Sequence, residues 1–367
     1  MKQERISKIV KIGGFSHIRS VYIGGNHPVA VQTMWKDRLC IEDFESAVVK
    51  IEALGKMGCD LLRFAVPDIQ SAEVLGCLAE MVSMPLVADI HFDYKIALRC
   101  MDFPIAKIRI NPGNIGNKDK TRMVLEKAAG KIPIRIGVNA GSLPPDLRER
   151  VDEGMDTSSA LCEAAMREIA VFEEFSFNDF LVSMKATKTA DIIRANRFLS
   201  QRTDAPLHIG VTEAGPLTAG VVRNTAALLA LLTEGIGDTV RVSLSDSMEN
   251  EVIAGREIVK AAFELAPENE KLRRRGVNIV SCPRCGRHGF DTHGFTDRWM
   301  SKLYAMDKDI TVAVMGCEVN GPVEAKHADL GITGAGDKVL IFKHGEVIKT
   351  ITADQADAAF EEELNKL

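Results

Sequence analysis

The feature that most constrains the fold is a repeat. A short run rich in β-branched residues is followed by a segment of helical period, and the pair recurs eight times. The strand runs are 29–34, 60–66, 85–90, 105–110, 133–138, 179–184, 207–212 and 239–243. The helical segments are 42–57, 69–82, 93–102, 118–130, 156–175, 188–201, 217–234 and 249–265. Eight βα units in roughly 240 residues is the count and length of a (β/α)8 TIM barrel. An open doubly wound sheet rarely reaches eight units without a glycine-rich dinucleotide turn, and none follows the first strand. The pairs Gly13-Gly14 and Gly24-Gly25 read as a hairpin or plug ahead of the barrel.

The repeat ends at a charged run, 267–276, which reads as a boundary between a barrel domain, 1–267, and a second domain, 268–367. Arg273-Arg274-Arg275 within it reads as a solvated hinge. Beyond lie strand-like 277–280, helix-like 295–306, strand-like 310–315, 329–332, 338–343 and 346–350, and a terminal helix 353–366. This is the pattern of a small α+β domain. Gly331-Ile332-Thr333-Gly334-Ala335-Gly336 lacks the strand-then-helix context of a nucleotide loop and reads as turns.

Bulk properties exclude several functions. A net charge of −5 and 5% aromatic residues supply neither a basic field nor stacking platforms for nucleic acid. No apolar run reaches the length of a membrane span, and the charged N-terminus shows no secretory signal, so the expected location is the cytoplasm. There, eight cysteines are not a disulfide framework. Cys40, Cys59, Cys77, Cys100 and Cys162 lie in apolar or helical runs and read as buried thiols.

Polar residues recur at the carboxyl ends of the strands with matching parity, where barrel enzymes carry their chemistry. They are Arg63, then Asp89 and His91, Arg109 and Asn111, Arg135 and Asn139, Ser183 and Lys185, and Arg241 and Ser243. The seventh strand ends in Thr212-Glu213. Five of these are cations on otherwise apolar strands: Arg63, Arg109, Arg135, Lys185 and Arg241. Structural bridges to Asp89 and Glu213 are one explanation, but the cations outnumber those anions. A polyanionic ligand is the sharper one, because guanidinium forks match phosphate oxygens and a diphosphate uses more of them than a carboxylate does.

Cys282-x-x-Cys285 is the bite of two ligands on one metal centre, and Cys317 supplies a third thiol. Candidates for a fourth ligand are His288, His293, His327, Glu318 and Glu324. Two readings follow. One is a redox cluster held by three thiolates and one weaker oxygen ligand. The other is a structural zinc site beside a non-redox barrel enzyme acting on a phosphorylated substrate.

Six runs then resemble one family over nearly the whole chain. They are Cys282-Pro283-Arg284-Cys285-Gly286-Arg287, Met315-Gly316-Cys317-Glu318-Val319-Asn320-Gly321-Pro322-Val323-Glu324, Ala88-Asp89-Ile90-His91-Phe92, Arg109-Ile110-Asn111-Pro112-Gly113-Asn114, Arg135-Ile136-Gly137-Val138-Asn139 and Thr212-Glu213-Ala214-Gly215. The chain is similar in these to the 4-hydroxy-3-methylbut-2-enyl diphosphate synthases, in the short two-domain bacterial form.

The resemblance implies a TIM barrel followed by an iron–sulfur domain like those of sulfite and nitrite reductases. It implies reductive opening and dehydration of 2-C-methyl-D-erythritol 2,4-cyclodiphosphate, with electrons from ferredoxin or flavodoxin. A [4Fe-4S] cluster would sit on Cys282, Cys285, Cys317 and Glu324. The diphosphate contacts would be Arg63, Arg109, Arg135, Lys185 and Arg241, with Asn111, Asn139 and Ser243 beside them. Thr212 and Glu213 match the family's Thr-Glu pair. A homodimer, in which one subunit's cluster domain caps the other's barrel, is implied as well. The loop Met34-Trp35-Lys36-Asp37 departs from the small polar residues that many members carry there.

Overall fold

The computed structural model describes residues 5–116 and 118–367. The chain enters through an antiparallel hairpin, β1 (Val10–Ile12) and β2 (Val21–Ile23). Eight parallel strands follow: β3 (Ala30–Met34), β4 (Leu61–Ala65), β5 (Leu86–Asp89), β6 (Lys107–Ile110), β7 (Ile134–Asn139), β8 (Phe180–Lys185), β9 (His208–Ile209) and β10 (Thr239–Val240). Their order is β8-β7-β6-β5-β4-β3-β10-β9, and a parallel bridge from Val182 to Leu207 joins the two ends into a nearly closed barrel. Helices 44–56, 69–79, 94–100, 118–128, 157–174, 189–200, 217–232 and 248–265 return the chain between and after the strands.

Local chemistry starts several of these helices. Asp68 accepts from the Ser71 amide at 2.7 Å, Asp93 from Lys95 at 2.9 Å, and Ser247 from Asn250 at 3.1 Å. The hairpin is a plug: Val10, Ile12, Ile18 and Ile23 pack on Ala30, Leu61, Val87 and Leu181. That apolar floor closes the amino-terminal end of the barrel and leaves the carboxyl ends of the strands for the site.

Three local differences from the sequence reading have clear causes. β9 and β10 end as ladders after two residues each, although the Arg241 amide still donates to the Ile209 carbonyl at 3.1 Å. A short helix, Pro145–Asp152, follows β7, opened by two prolines that suit a helix entry. Cys77 is exposed and Cys40 half-buried, whereas Cys59, Cys100 and Cys162 are buried. Cys77 sits on the outward face of its helix, where apolar neighbours in sequence do not mean burial.

The chain divides into two compact units, the first running to Arg274 and the second spanning Arg275–Leu367. Residues 268–274 pack on the barrel. Lys271 donates to the buried Asp238 at 2.7 Å, and Arg274 pairs with Asp60 at 3.0 Å. Arg274 is therefore an anchored residue and not part of a solvated hinge. The second unit holds β11 (Asn278–Ser281), β12 (Thr311–Met315), β13 (Leu330–Ala335), β14 (Lys338–Lys343) and β15 (Glu346–Ile351) in that order. The first three strands are parallel and the last two pairings antiparallel. Phe295 and Trp299 of helix 292–304 meet Phe360 of helix 356–365 edge to face, at 5.1 and 4.9 Å between centroids.

The glycine run 331–336 is strand up to Ala335, not turns. Phe342 lies over Gly331, and the backbone of Gly289 and Phe290 lies against Gly334, approaches that a side chain at either position would block. Among the described residues no helix is long and apolar enough to cross a membrane.

Candidate active site

The strand register brings the mouth residues together. Arg109 pairs across the sheet with both Asp89 and Arg135, and Asn139 pairs with Lys185. Because parity is shared, these side chains enter one space above the apolar floor. Arg63, Arg109, Arg135 and Lys185 are all buried, Arg135 being only 1% exposed.

Asp89 is the hub on one side. It pairs with Arg63 at 3.4 Å, Arg109 at 3.1 Å and His91 at 3.6 Å. Arg109 Nη1 also lies 3.1 Å from His91 Nε2. With its amide oriented to suit, Asn139 accepts from Arg109 Nη2 at 3.1 Å. Gly137 makes room for this arrangement, since a Cβ there would lie 2.1 Å from Arg109 Nε. Burial alone would raise the Asp89 pKa, but Arg63, His91, Arg109 and Arg135 outweigh it and hold the carboxyl well below the usual range. Burial pushes Arg63 down to about 10, partly offset by Asp89. Burial and neighbouring cations depress Arg135 and Lys185 far more. Arg135 Nε and Nη1 have no hydrogen-bond partner among the described residues.

Glu251 is the hub on the other side, and sequence reasoning missed it. Its side chain is fully buried. It accepts from the Thr33 hydroxyl at 2.6 Å and the Leu244 amide at 2.9 Å, and it pairs with Arg241 at 3.3 Å and Lys36 at 3.1 Å. One signal was available: Glu251 shares a helical face with Met248, Val252 and Gly255, an apolar stripe where a carboxylate needs a partner. Lys36 also donates to the carbonyls of Leu244 and Asp246, and Trp35 stacks on Phe64 at 5.3 Å. The unusual loop after β3 is thus tied across to the segment after β10.

Lys107, likewise unforeseen, is buried two residues before Arg109, and its Nζ lacks a hydrogen-bond partner among the described residues. Ser183 is occupied in the wall, donating to the Ile136 carbonyl at 3.2 Å. Asn111 is buried at the entry to the short helix 112–115, and Ser243 is half-buried after β10.

Glu213 pairs with no cation among the described residues; Arg241 takes Glu251 instead. The Glu213 side chain is exposed, and its backbone is left-handed, with φ 51°. A non-glycine residue there stores strain of about 1–3 kcal/mol, a cost found most often at functional loops. Thr212 beside it is half-buried, its amide donating to Ala186 at 3.2 Å.

In the second unit, Cys282 and Cys317 follow neighbouring parallel strands, β11 and β12. The Cys282 amide donates to Val314 at 2.9 Å, and Thr333 Oγ1 donates to the Cys317 carbonyl at 2.7 Å. Cys285 lies in the following turn, which is pinned by Gly289 donating to Gly316 at 2.8 Å. Gly316 packs beside the thiol: a Cβ there would be in van der Waals contact with His288 Cβ at 3.4 Å and Cys282 Sγ at 3.6 Å. Glu324 ends a π-helical turn, Val319–Glu324, a rare geometry common at functional sites. The Arg287 amide donates to Cys285 and, with its guanidinium, lowers the thiol pKa. Among the described residues no three His, Cys, Asp or Glu side chains converge on the position of one ion. The donor set, three thiols and a carboxylate carried on two strand ends, a turn and a π-helical turn, has the soft ligand chemistry that would hold an iron–sulfur group.

Fold and site define a protein of the (β/α)8-barrel class with a cationic mouth and a thiol-bearing second unit. Comparison narrows this. Residues 15–256 match the GcpE TIM-barrel domain and residues 278–366 the GcpE protein C-terminal domain. The chain is 48% identical to the 4-hydroxy-3-methylbut-2-en-1-yl diphosphate synthase (flavodoxin) of Treponema denticola, covering 100% of both chains. It is 50% identical to that of Treponema pallidum, over 97% of this chain and 91% of the relative. The chain belongs to the GcpE family.

Proposed function

We propose that this protein is a 4-hydroxy-3-methylbut-2-en-1-yl diphosphate synthase. It converts 2-C-methyl-D-erythritol 2,4-cyclodiphosphate, two electrons and a proton to the linear hydroxymethylbutenyl diphosphate and water. The carrying observation is the mouth itself, where five cations meet only the carboxylates of Asp89 and Glu251 among the described ion pairs.

Arg63, Arg109, Arg135, Lys185 and Arg241 grip the diphosphate, with Asn111, Asn139, Ser243 and His91 completing the contacts. Ring opening frees an additional phosphate charge, and these preorganised cations stabilise it as it develops. Holding the diphosphate also fixes the reacting carbon, so binding energy from a remote group serves positioning. Glu213, exposed on a strained turn with Thr212 beside it, is the candidate for orienting the departing hydroxyl or delivering a proton as it leaves as water.

Cys282, Cys285, Cys317 and Glu324 would hold a [4Fe-4S] cluster, which supplies electrons singly when bound. Flavodoxin is the donor supported by the names of the relatives; ferredoxin is the alternative. The enzyme works in the cytoplasm as a homodimer, each cluster unit serving the partner's barrel.

The test has three readouts. Anaerobically purified protein should be brown, carrying iron and labile sulfide, and should turn over cyclodiphosphate with reduced flavodoxin. Colourless protein with one zinc and no turnover would establish the structural-zinc reading instead. Glu213→Gln should bind substrate and turn over slowly, and normal turnover removes its proton role. Mixing inactive Arg135→Ala and Cys282→Ser chains should restore activity through mixed dimers, and no restoration contradicts service between subunits.

A further inference from the structure

Lys107 lies one pleat beneath the mouth. It precedes Arg109 by two residues on β6, so both side chains enter the barrel interior. Lys107 is fully buried, and among the described residues its Nζ has no hydrogen-bond partner. Below it the barrel closes on Ala30, Leu61, Val87 and Leu181, none of which offers a polar side chain.

The charged groups that act most strongly on this space have the wrong sign to support an ammonium. Arg135 on β7 and Arg63 on β4 bear on Lys107 most strongly. His208 on β9 and Lys185 on β8 belong to the same electrostatic group. The nearby anions are already engaged. Asp89 on β5 pairs with Arg63 and Arg109, and Glu251 pairs with Arg241 and Lys36. A charge buried without a counter-ion gives up its proton instead of remaining charged. Burial, then Arg135 and Arg63, drive the Lys107 pKa well below that of an ordinary lysine.

We propose that Lys107 is an uncharged amine in the ligand-free protein and takes up a proton from solvent when a polyanion fills the mouth above it. The inference rests on the reading of the mouth as a diphosphate site. Nothing else changes hands: the amine and one proton become an ammonium. The incoming phosphates supply the negative charge that the apoprotein lacks, so the extra cation appears only when it is useful. Each phosphorus of a cyclic diphosphate carries a single strongly acidic hydroxyl, so the ligand itself exchanges no protons near neutrality. Protons taken up on binding therefore come to rest on the protein. The sign is fixed: affinity falls as pH rises, by about tenfold per unit for each proton taken up. Lys185 and His208 are depressed in the same direction and respond with the same sign. The share belonging to Lys107 is a difference between variants.

The experiment is calorimetric titration of the cyclodiphosphate into the anaerobically purified full chain, in buffers of different ionisation enthalpy. The dependence of observed heat on that enthalpy counts protons. Wild type should take protons up. Lys107→Met, apolar and of similar length, should still bind but take up about one proton fewer, with a flatter pH dependence of Kd. Equal uptake in the two proteins overturns the proposal. Lys107→Gln provides the same comparison if the methionine variant does not fold. A wild-type Kd that stays constant between about pH 6.5 and 8.5 overturns it without any variant. Failure of wild type to bind the cyclodiphosphate at all would instead refute the diphosphate reading, so the two failures are distinct.

Discussion

Replacing Glu251 by glutamine removes one charge and little volume, and the geometry sets the expected effect. The carboxylate neutralises Arg241 at 3.3 Å and Lys36 at 3.1 Å and accepts from Thr33 and Leu244. Removing one partner of a buried pair costs about 3–5 kcal/mol. Glutamine retains one acceptor oxygen, and Lys36, with its side chain 29% exposed, can rehydrate. The expected loss is therefore roughly 2–3 kcal/mol. At about 2–4 °C per kcal/mol in a large domain, the unfolding midpoint of the barrel drops by about 5–10 °C. Arg241 also loses its orienting partner, so KM for the cyclodiphosphate should rise about tenfold with kcat changed far less.

The pH dependence supplies a further check. Burial raises the Glu251 pKa, but Arg241, Thr33, the Leu244 amide and Lys36 bring it below its ordinary value. Its stabilisation is thus complete above the unfolded value of about 4.3 and is lost as pH falls through the lower folded value. Wild type and variant should converge in acid. A double-mutant cycle with Arg241→Met should recover part of the loss, because no buried cation is then left alone. A midpoint shift below about 2 °C with unchanged KM would refute the argument.

Other positions give sharper single readouts. Gly137→Ala places a methyl 2.1 Å from Arg109 Nε; displacing that guanidinium should weaken cyclodiphosphate binding about tenfold or more, and an unchanged Kd counts against Arg109 as a contact. Asp89→Asn leaves Arg63 and Arg109 uncompensated, so thermal stability near neutrality should fall while affinity for the anion rises, a pair of opposite signs that general damage would not produce. Burial raises Glu168 to about 7 despite the amide of Gly113 donating to it. Stability should therefore decline as pH rises from about 4.3 through about 7, and Glu168→Gln should flatten that slope in pH-dependent melting curves. Glu324→Ala should yield protein with altered iron–sulfur absorption and faster loss of iron; an unchanged spectrum with full activity removes Glu324 as a ligand.

Much of the site is legible from strand parity because parity is local. Arg63, Asp89, Arg109, Arg135, Asn139 and Lys185 enter one space as the alternation demands. Partner choice is different. Glu251 is far from Thr33 and Lys36 in the chain, and only barrel closure between β10 and β3 brings them together. For the same reason Glu213, a reasonable partner for Arg241 on charge alone, is left exposed while a helix residue takes that role.

The sequence by itself determined the eight-fold alternation, the inward parity of the mouth and the three thiols, because each depends on residues a few positions apart. Tertiary structure decided which cations are neutralised, that Lys107 lies fully buried, that Arg274 is anchored and that glycines 331–334 pass through a strand. Those outcomes depend on which distant backbone and side chains close over a residue, and burial sets the cost of every unpaired charge.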